Sequence, residues 1–390
     1  MRYGTRASYY SDWLDAFESS PLFAATSFNL FKRAERRAAA RAVAAAELVV
    51  ALHSCSADTL RFVKPLVGAL QARRGRLLVL VGNEYNLPWA PLSEKRRFLH
   101  EVAADFVGTQ LPLAAGEWLY QGTGGVVIAL PHALNEAVFR PGPPDAARSI
   151  DIGGRSAHYP VYVGDDDRNR VYELFARLAP SSGLRVDIDT ERRLARDGWS
   201  DFLGRCRGTI GTEAGSWYLE RDDRTALAIR AFLRRRRGGP TIRADGVLHA
   251  LTRHLPYGAK ERLRALIKFA PVGHEALDRD CGAAAEIEQR FFGAARRAPV
   301  YSKCISSRHF DAAGTGTCQI LVRGRYNDIM RADEHYIPIE PDLSDAAQAI
   351  ERFCDPVERC RVAAAAHALV RDRHTYRHRL DELHRQLAAG

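Results

Sequence analysis

Lys303–Tyr336 reads KCISSRHFDAAGTGTCQILVRGRYNDIMRADEHY. The pattern predicts a loop, a helix starting at Ser307–Asp311, a glycine-containing turn, a buried strand at CQILV, a polar loop and then another helix. A helix lying between buried strands belongs to a parallel sheet layered with helices, and its N-terminus then points into a cleft. Free backbone N–H groups and the helix dipole at such a terminus suit a diphosphate. Arg308 offers charge-assisted bonds to phosphate, and Asp311, one turn in, offers a carboxylate to a ribose diol.

The same alternation extends outward in both directions. Upstream, ELVVALHS (47–54), RLLVLVGNEY (76–85), Asp105–Thr109 and Gly125–Pro131 read as strands. Helices are predicted over 32–46, Thr59–Ala72 and Ser93–Ala104, so the first part of the chain is a doubly wound α/β lobe. The Pro-rich RPGPPDAA (140–147) separates it from a second alternating region. There YPVYVG (159–164) and LRVDID (184–189) read as strands, with helices at 167–179 and 200–206. RGTIGTEAGS (207–216) runs from a strand into a loop of small residues. The pattern over 225–297 is helical, and YIPIE (336–340) and two closing helices at 344–353 and 356–374 complete the lobe. The expected organisation is a lobe over 1–143, a second over 144–375 with a helical insert at about 225–297, and a tail at 376–390. Two such lobes put a cleft at the C-terminal ends of their strands, where ligands of these folds bind.

The particular form S-x-R-H-F-D-A, followed by R-Y-N-D and H-Y-I-P, resembles the second lobe of the GT-B glycosyltransferases of group 1 (family 4-like), in the form of the CgeB-like branch. IGTEAGS (210–216) and LPHALNEAVFRP (130–141) resemble further segments of that family. The resemblance implies a GT-B fold, with two Rossmann-like lobes facing a cleft. It also implies sugar transfer from a nucleotide-diphosphate donor that serves as co-substrate, with no cofactor and no metal. Asp311 would hold the donor ribose, Arg308 and His309 would border the diphosphate, and Tyr326, Asn327 and Asp328 would face the sugar. The family's usual Glu at the ribose position is Asp here. Where many relatives carry a further Glu eight residues earlier, this chain has Lys303, which cannot act as a carboxylate.

Thr212, Glu213, Gly215 and Ser216 form a loop slim enough for a ligand to approach the backbone. Arg155, after Gly153–Gly154, reads either as a phosphate-side residue or as part of a turn. In the first lobe His53 and Glu84 follow strands directly and are the candidates for deprotonating an acceptor. Each of these also has a plain reading: a solvated arginine, a helix-stabilising acid, a packed histidine, ordinary turn chemistry.

The sequence has 390 residues, 46% hydrophobic and 27% charged, which is globular composition for two domains. The net charge is +10, from 57 basic and 47 acidic residues, and it favours a phosphate-bearing ligand or an anionic surface. The arginine run at 234–237 is the candidate for peripheral membrane contact, with a solvated helix end as its plain reading. Nucleic acid is not expected as a partner, because the interleaved aromatic and basic pattern and any zinc or helix-turn-helix signature are missing. The seven cysteines show no C-x-x-C pair, the opening residues contain no apolar signal segment, and the apolar runs are too short to span a bilayer. A cytoplasmic protein is expected, at most peripheral at the inner membrane face. Asp165–Asp167 read as a helix-start acid cluster and Asp187 and Asp189 as strand-end residues, so no metal site is expected. The acceptor stays open among glycan, lipid-linked and small-molecule classes. A GT-B epimerase, and an inactive relative acting in surface or coat assembly, stay open as alternatives.

Overall fold

The computed structural model describes residues 8–57, 59–190, 194–237, 281–293 and 298–389. The chain begins with α1 (Ser8–Ser19) and α2 (Arg33–Ala42). The first sheet follows: β1 (Leu48–Ala51), β2 (Arg76–Leu80), β3 (Phe106–Thr109) and β4 (Val126–Ala129), side by side in that order and all parallel. The crossover helices are α3 (Val67–Gln71), α4 (Leu92–Glu101) and α5 (Leu113–Tyr120). Alternate residues of β2 face opposite layers. Leu77 and Val79 pack with α2–α5, whereas Leu78 and Leu80 pack against Trp13 and Phe17 of α1 and against the C-terminal helix.

The second lobe runs β5 (Ile150–Arg155), α6 (Asp167–Ser181), β6 (Val186–Asp189), α7 (Arg196–Arg205) and β7 (Cys206–Gly211). Next come β8 (Ala214–Gly215), α8 (Arg224–Arg237), α9 (Cys281–Ile287), β9 (Lys303–Cys304), α10 (Ser307–Gly314), β10 (Cys318–Val322) and β11 (Ile337–Ile339). It closes with α11 (Ala346–Cys354) and α12 (Pro356–Arg373), and α13 (Tyr376–Ala389) follows. Its five-stranded parallel sheet has the order β11-β10-β7-β5-β6. From β5 the chain steps outward to β6, then crosses back to β7 on the other side. The adjacent ends of β5 and β7 are therefore the switch point, where the connections leave a crevice. Two Rossmann-like α/β lobes, the architecture implied by the resemblance, are present.

Several local readings need correction. The strand opening the second lobe is IDIGGR, and YPVYVG forms only a 3-10 turn at Val161–Val163. The glycines of β5 are packing glycines. A Cβ on Gly153 would lie 2.2 Å from Cys206 Sγ, and one on Gly154 would lie 2.9 Å from the Tyr172 ring. The helix predicted over Thr59–Ala72 shrinks to Val67–Gln71 behind a 3-10 turn at Lys64–Leu66, where Pro65 can only start a helix. The segment read as a tail is helix α13, whose Tyr376, Leu380 and Leu383 join the first-lobe core. Most of the predicted insert (238–280 and 294–297) lies outside the described residues, as do the side chains of Arg234 and Arg237.

The lobes are fastened to each other at several points. Leu134 N donates to His374 O (2.8 Å) and Tyr376 N donates to Leu134 O (3.1 Å), where the chain crosses outward and returns. The Pro-rich stretch before β5 is held to the second lobe. Gly142 N donates to Thr315 O (3.1 Å), and Arg359 grips the Asp145 carboxylate (2.7 Å). A third tie runs through Asp223, whose carboxylate accepts from Asn86 Nδ2 (2.8 Å), Leu92 N (3.2 Å) and Ser93 N (2.7 Å). A second-lobe residue thereby caps the free N–H groups of first-lobe helix α4.

Candidate functional site

A partly open pocket lies at the C-terminal edge of the second sheet. Thr209–Thr212 bring the end of β7 to it, Gln319 and Leu321 come from β10, and Ser306, Arg308 and His309 come from the first turn of α10. Arg168 and Tyr172 of α6 and Trp199 of α7 complete the wall. The switch point of the sheet thus meets a helix N-terminus, an arrangement that concentrates donors on an anion.

Local chemistry explains the turn of α10. Ser306 is its N-cap, and the His309 side chain reaches back so that Nδ1 accepts from Ser306 N at 3.0 Å, which closes a capping box. Burial pushes His309 down to about 3, so it stays neutral. Arg308 Nη1 donates to the Arg155 carbonyl oxygen at 2.7 Å, which ties α10 to the end of β5. The Arg168 guanidinium lies 4.0 Å from the Tyr159 ring centroid and has no ion-pair partner among the described residues. Two guanidinium groups therefore border one pocket beside one helix start.

Of the residues singled out by sequence, Thr212, Arg308 and His309 meet at this pocket. The others have different work. Asp311 is 1% exposed and lies behind the pocket wall, its Oδ2 accepting from Trp199 Nε1 at 3.0 Å. Burial, aided by the nearby Asp12 carboxylate, holds its pKa well above the usual range. Asp311 orients Trp199, which lines the pocket, and does not itself reach a ligand there. The Arg155 side chain joins two strands, with Nη2 on Asp187 at 2.7 Å and its guanidinium 4.0 Å from the Phe202 ring centroid. Only its backbone oxygen touches Arg308.

Glu213 is a buried structural carboxylate that accepts from the Tyr301 hydroxyl and from Tyr326 N (2.7 Å). Burial raises its pKa. It supports three successive non-glycine residues in the left-handed region: Tyr326 (φ 47°), Asn327 (φ 54°) and Asp328 (φ 58°). Such backbone costs energy and persists only where its surroundings enforce it. Gly324 is part of that enforcement, since a Cβ there would meet the Glu213 carboxylate at 2.3 Å. The loop does not present its side chains to the pocket. The Tyr326 hydroxyl is buried on Val322 O (2.6 Å), and Asp328 pairs with Arg325 in solvent. Asn327 accepts from Ile305 N (2.7 Å) and donates to Gln110 O of the first lobe (3.1 Å). Gly215 (φ 94°) belongs to the short β8–β9 pair, and the Ser216 hydroxyl donates to Val163 O at 2.6 Å. Neither lines the pocket.

Neither first-lobe base candidate is free for that role. Glu84 accepts from Thr109 Oγ1 (2.6 Å), Gln110 N (2.8 Å) and Tyr120 OH (2.6 Å), which satisfies both oxygens inside the lobe. His53 is 1% exposed, with its ring beside Trp13 and His132, and burial lowers it to about 3. Lys303, the departure noted in the sequence, is 3% exposed and lies between Asp165 (2.9 Å) and Asp167 (2.7 Å). The acid cluster at the start of α6 thus compensates a buried ammonium. Among the described residues no three His, Cys, Asp or Glu side chains converge as a metal site would require.

Arg168, Tyr172, Trp199 and Gln319 were missed by sequence reasoning. A signal for Arg168 exists, since it follows the helix-start acids Asp165–Asp167 and so falls in a first turn at the sheet's C-terminal edge. Trp199 carries no such local mark.

The family model described as "Glycosyl transferase-like" matches residues 284–385, a stretch that contains α10, β10 and the closing helices. No curated protein matches the chain. Solved structures of low similarity include HepE from Anabaena in complex with UDP and glucose, at 9% identity and a TM-score of 0.46, covering 92% of this chain and 82% of that one. A glycosyltransferase from Rickettsia africae is 11% identical with a TM-score of 0.46, covering 94% of this chain and 85% of that one. Sucrose-phosphate synthase from Thermosynechococcus elongatus is 14% identical with a TM-score of 0.43, covering 96% and 82%.

Proposed function

We propose that the chain is a glycosyltransferase that binds a nucleoside-diphosphate sugar at the C-terminal edge of its second lobe and passes the sugar to an acceptor across the cleft. The observation that carries this reading is the convergence of the α10 N-terminus, Arg308 and Arg168 on one pocket at the switch point, inside or beside the stretch that the glycosyl transferase-like family covers. A departing nucleoside diphosphate gathers negative charge as the glycosidic bond breaks, and fixed N–H dipoles and guanidinium groups stabilise that charge. The nucleotide sugar is co-substrate and no cofactor enters. The acceptor is a glycan, a lipid-linked saccharide or a small molecule.

The test is a thermal-shift panel of UDP, GDP, ADP and TDP, in which one nucleotide raises the melting temperature selectively. Arg168→Gln and Arg308→Gln should each weaken that nucleotide by about 10- to 100-fold, the loss of a charged hydrogen bond of about 1.5–3 kcal/mol. A panel without any shift, or unchanged affinity in both variants, would remove the donor site from this pocket.

Metal-independent transfer belongs to the same proposal. Asp165 and Asp167 are neutralised by Lys303, and Asp187 is held by Arg155, so their charges are already spoken for. Turnover is expected to survive EDTA. Loss on chelation with recovery on Mg²⁺ or Mn²⁺ would reassign Asp187 and Asp189 to a metal.

A second reading, a nucleotide-binding relative without transfer activity, is favoured by the commitment of Lys303 and Asp311 to internal partners. Tight nucleotide binding without any release of sugar from the matching donor would select it. An epimerase is disfavoured, because His53 and Glu84 are both taken up by the first-lobe core.

A further inference from the structure

We infer that the face formed by α2 and the turn before α3 docks on a bilayer surface carrying anionic lipid headgroups. Three observations converge there. Arg33, Arg37 and Arg41 are spaced four residues apart, so they share one side of α2. All three are exposed, and none has an ion-pair partner among the described residues. Glu35 does not offset them, because it is paired with Lys32 (2.8 Å) and accepts from Asn29 N (2.7 Å).

At the start of this row stands Phe31, 66% exposed, with its ring 5.4 Å from that of half-buried Phe62. The Arg61 guanidinium lies 5.7 Å from the Phe62 ring centroid, adding a cation to the aromatic pair. Water solvates an arginine row well but not an exposed phenyl ring, so the two features together ask for a surface with both a charged and an apolar layer. A bilayer interface has both, since headgroup phosphates meet the arginines and the acyl boundary takes the ring. A soluble polyanion would use the row and leave Phe31 in water. This surface is independent of the proposed transfer reaction, and none of its residues lines the nucleotide pocket.

Co-sedimentation of the full chain with phosphatidylcholine vesicles, with and without phosphatidylglycerol, tests it. Binding is expected only to the anionic vesicles. It should fall about tenfold or more in the triple variant R33Q/R37Q/R41Q, since each interfacial cation contributes measurably, and it should also fall in Phe31→Ser. Melting temperature and its nucleotide response should be unchanged in both variants. If the triple variant melts early, Phe31→Ser and Arg37→Gln alone decide. Failure to bind anionic vesicles, or binding that neither variant alters, overturns the inference. So does equal binding of Phe31→Ser and the unaltered chain to both heparin and vesicles, which would make the face a polyanion site instead.

Discussion

Removing residues 376–390 is expected to unfold the first lobe, although no residue of the candidate site is lost. Tyr376, Leu380 and Leu383 are 4%, 2% and 0% exposed and pack on Trp13, Phe17, Leu78 and Leu80. The Trp13 and Tyr376 rings meet edge to face at 5.1 Å. Emptying sites of this kind costs about 2–5 kcal/mol each. Three together exceed about 6 kcal/mol, comparable with the whole stability of a domain. The truncated chain should lose its cooperative urea transition or shift it strongly, and protease should then cut within β1–β4. A truncated chain with an unchanged midpoint would mean that α13 adds nothing to the first lobe.

The second large effect is a pair of opposite pH responses. His53 is held neutral by burial, at about 3 against its ordinary 6.5, and neither ring nitrogen has a hydrogen-bond partner in the described structure. The unfolded chain takes up a proton below pH 6.5 that the folded chain refuses. The stability tied to neutral His53 is therefore complete above pH 6.5 and is lost as pH falls toward 3. Between pH 6.5 and 5 the loss is about 2 kcal/mol. His53→Phe should become more stable relative to the unaltered chain by that amount over this interval.

Asp311 behaves in the opposite sense. Its folded pKa is raised by burial, so the folded chain keeps a proton that the unfolded chain releases above 3.8. Its contribution is complete below 3.8 and lost as pH rises. Asp311→Asn, whose amide oxygen can still accept from Trp199, should be the more stable protein near neutrality, with the advantage shrinking on acidification. Paired urea melts across pH check both. Parallel curves for a variant and the unaltered chain would mean that the residue titrates alike folded and unfolded.

Much of the architecture was legible because its signals are local. CQILV and RLLVLV are short apolar runs between polar turns, and a buried parallel strand writes itself that way. The start of α10 was legible for the same reason, and with it Arg308 and His309 at the pocket. The failures occur where distant contacts overrode local preference. Gly153–Gly154–Arg155 read as a phosphate-side loop or a turn, but Cys206, Phe202 and Tyr172 press so closely on β5 that no Cβ fits at either glycine. Residues 376–390 looked like a tail because nothing in them reveals that Trp13 and Phe17 wait more than 350 residues earlier.

Taken by itself, the sequence determined most strands of the two parallel sheets, β5 excepted, and where a helix start with an arginine would face a cleft. These follow from periodicity and from the unsatisfied groups at a helix N-terminus, which need no partner to be read. The tertiary structure alone decided which polar residues remain available to a ligand. Asp311 looks the same in sequence whether it meets a ribose or the Trp199 indole, and Glu213 the same whether it faces a sugar or holds Tyr326. A buried polar group must find a partner, and which partner lies within reach is settled only when α7, β7, α10 and the Tyr326–Asp328 turn pack together. That packing gave Asp311 to Trp199 and Lys303 to Asp165 and Asp167, and it left Arg168 and Arg308 bordering the pocket.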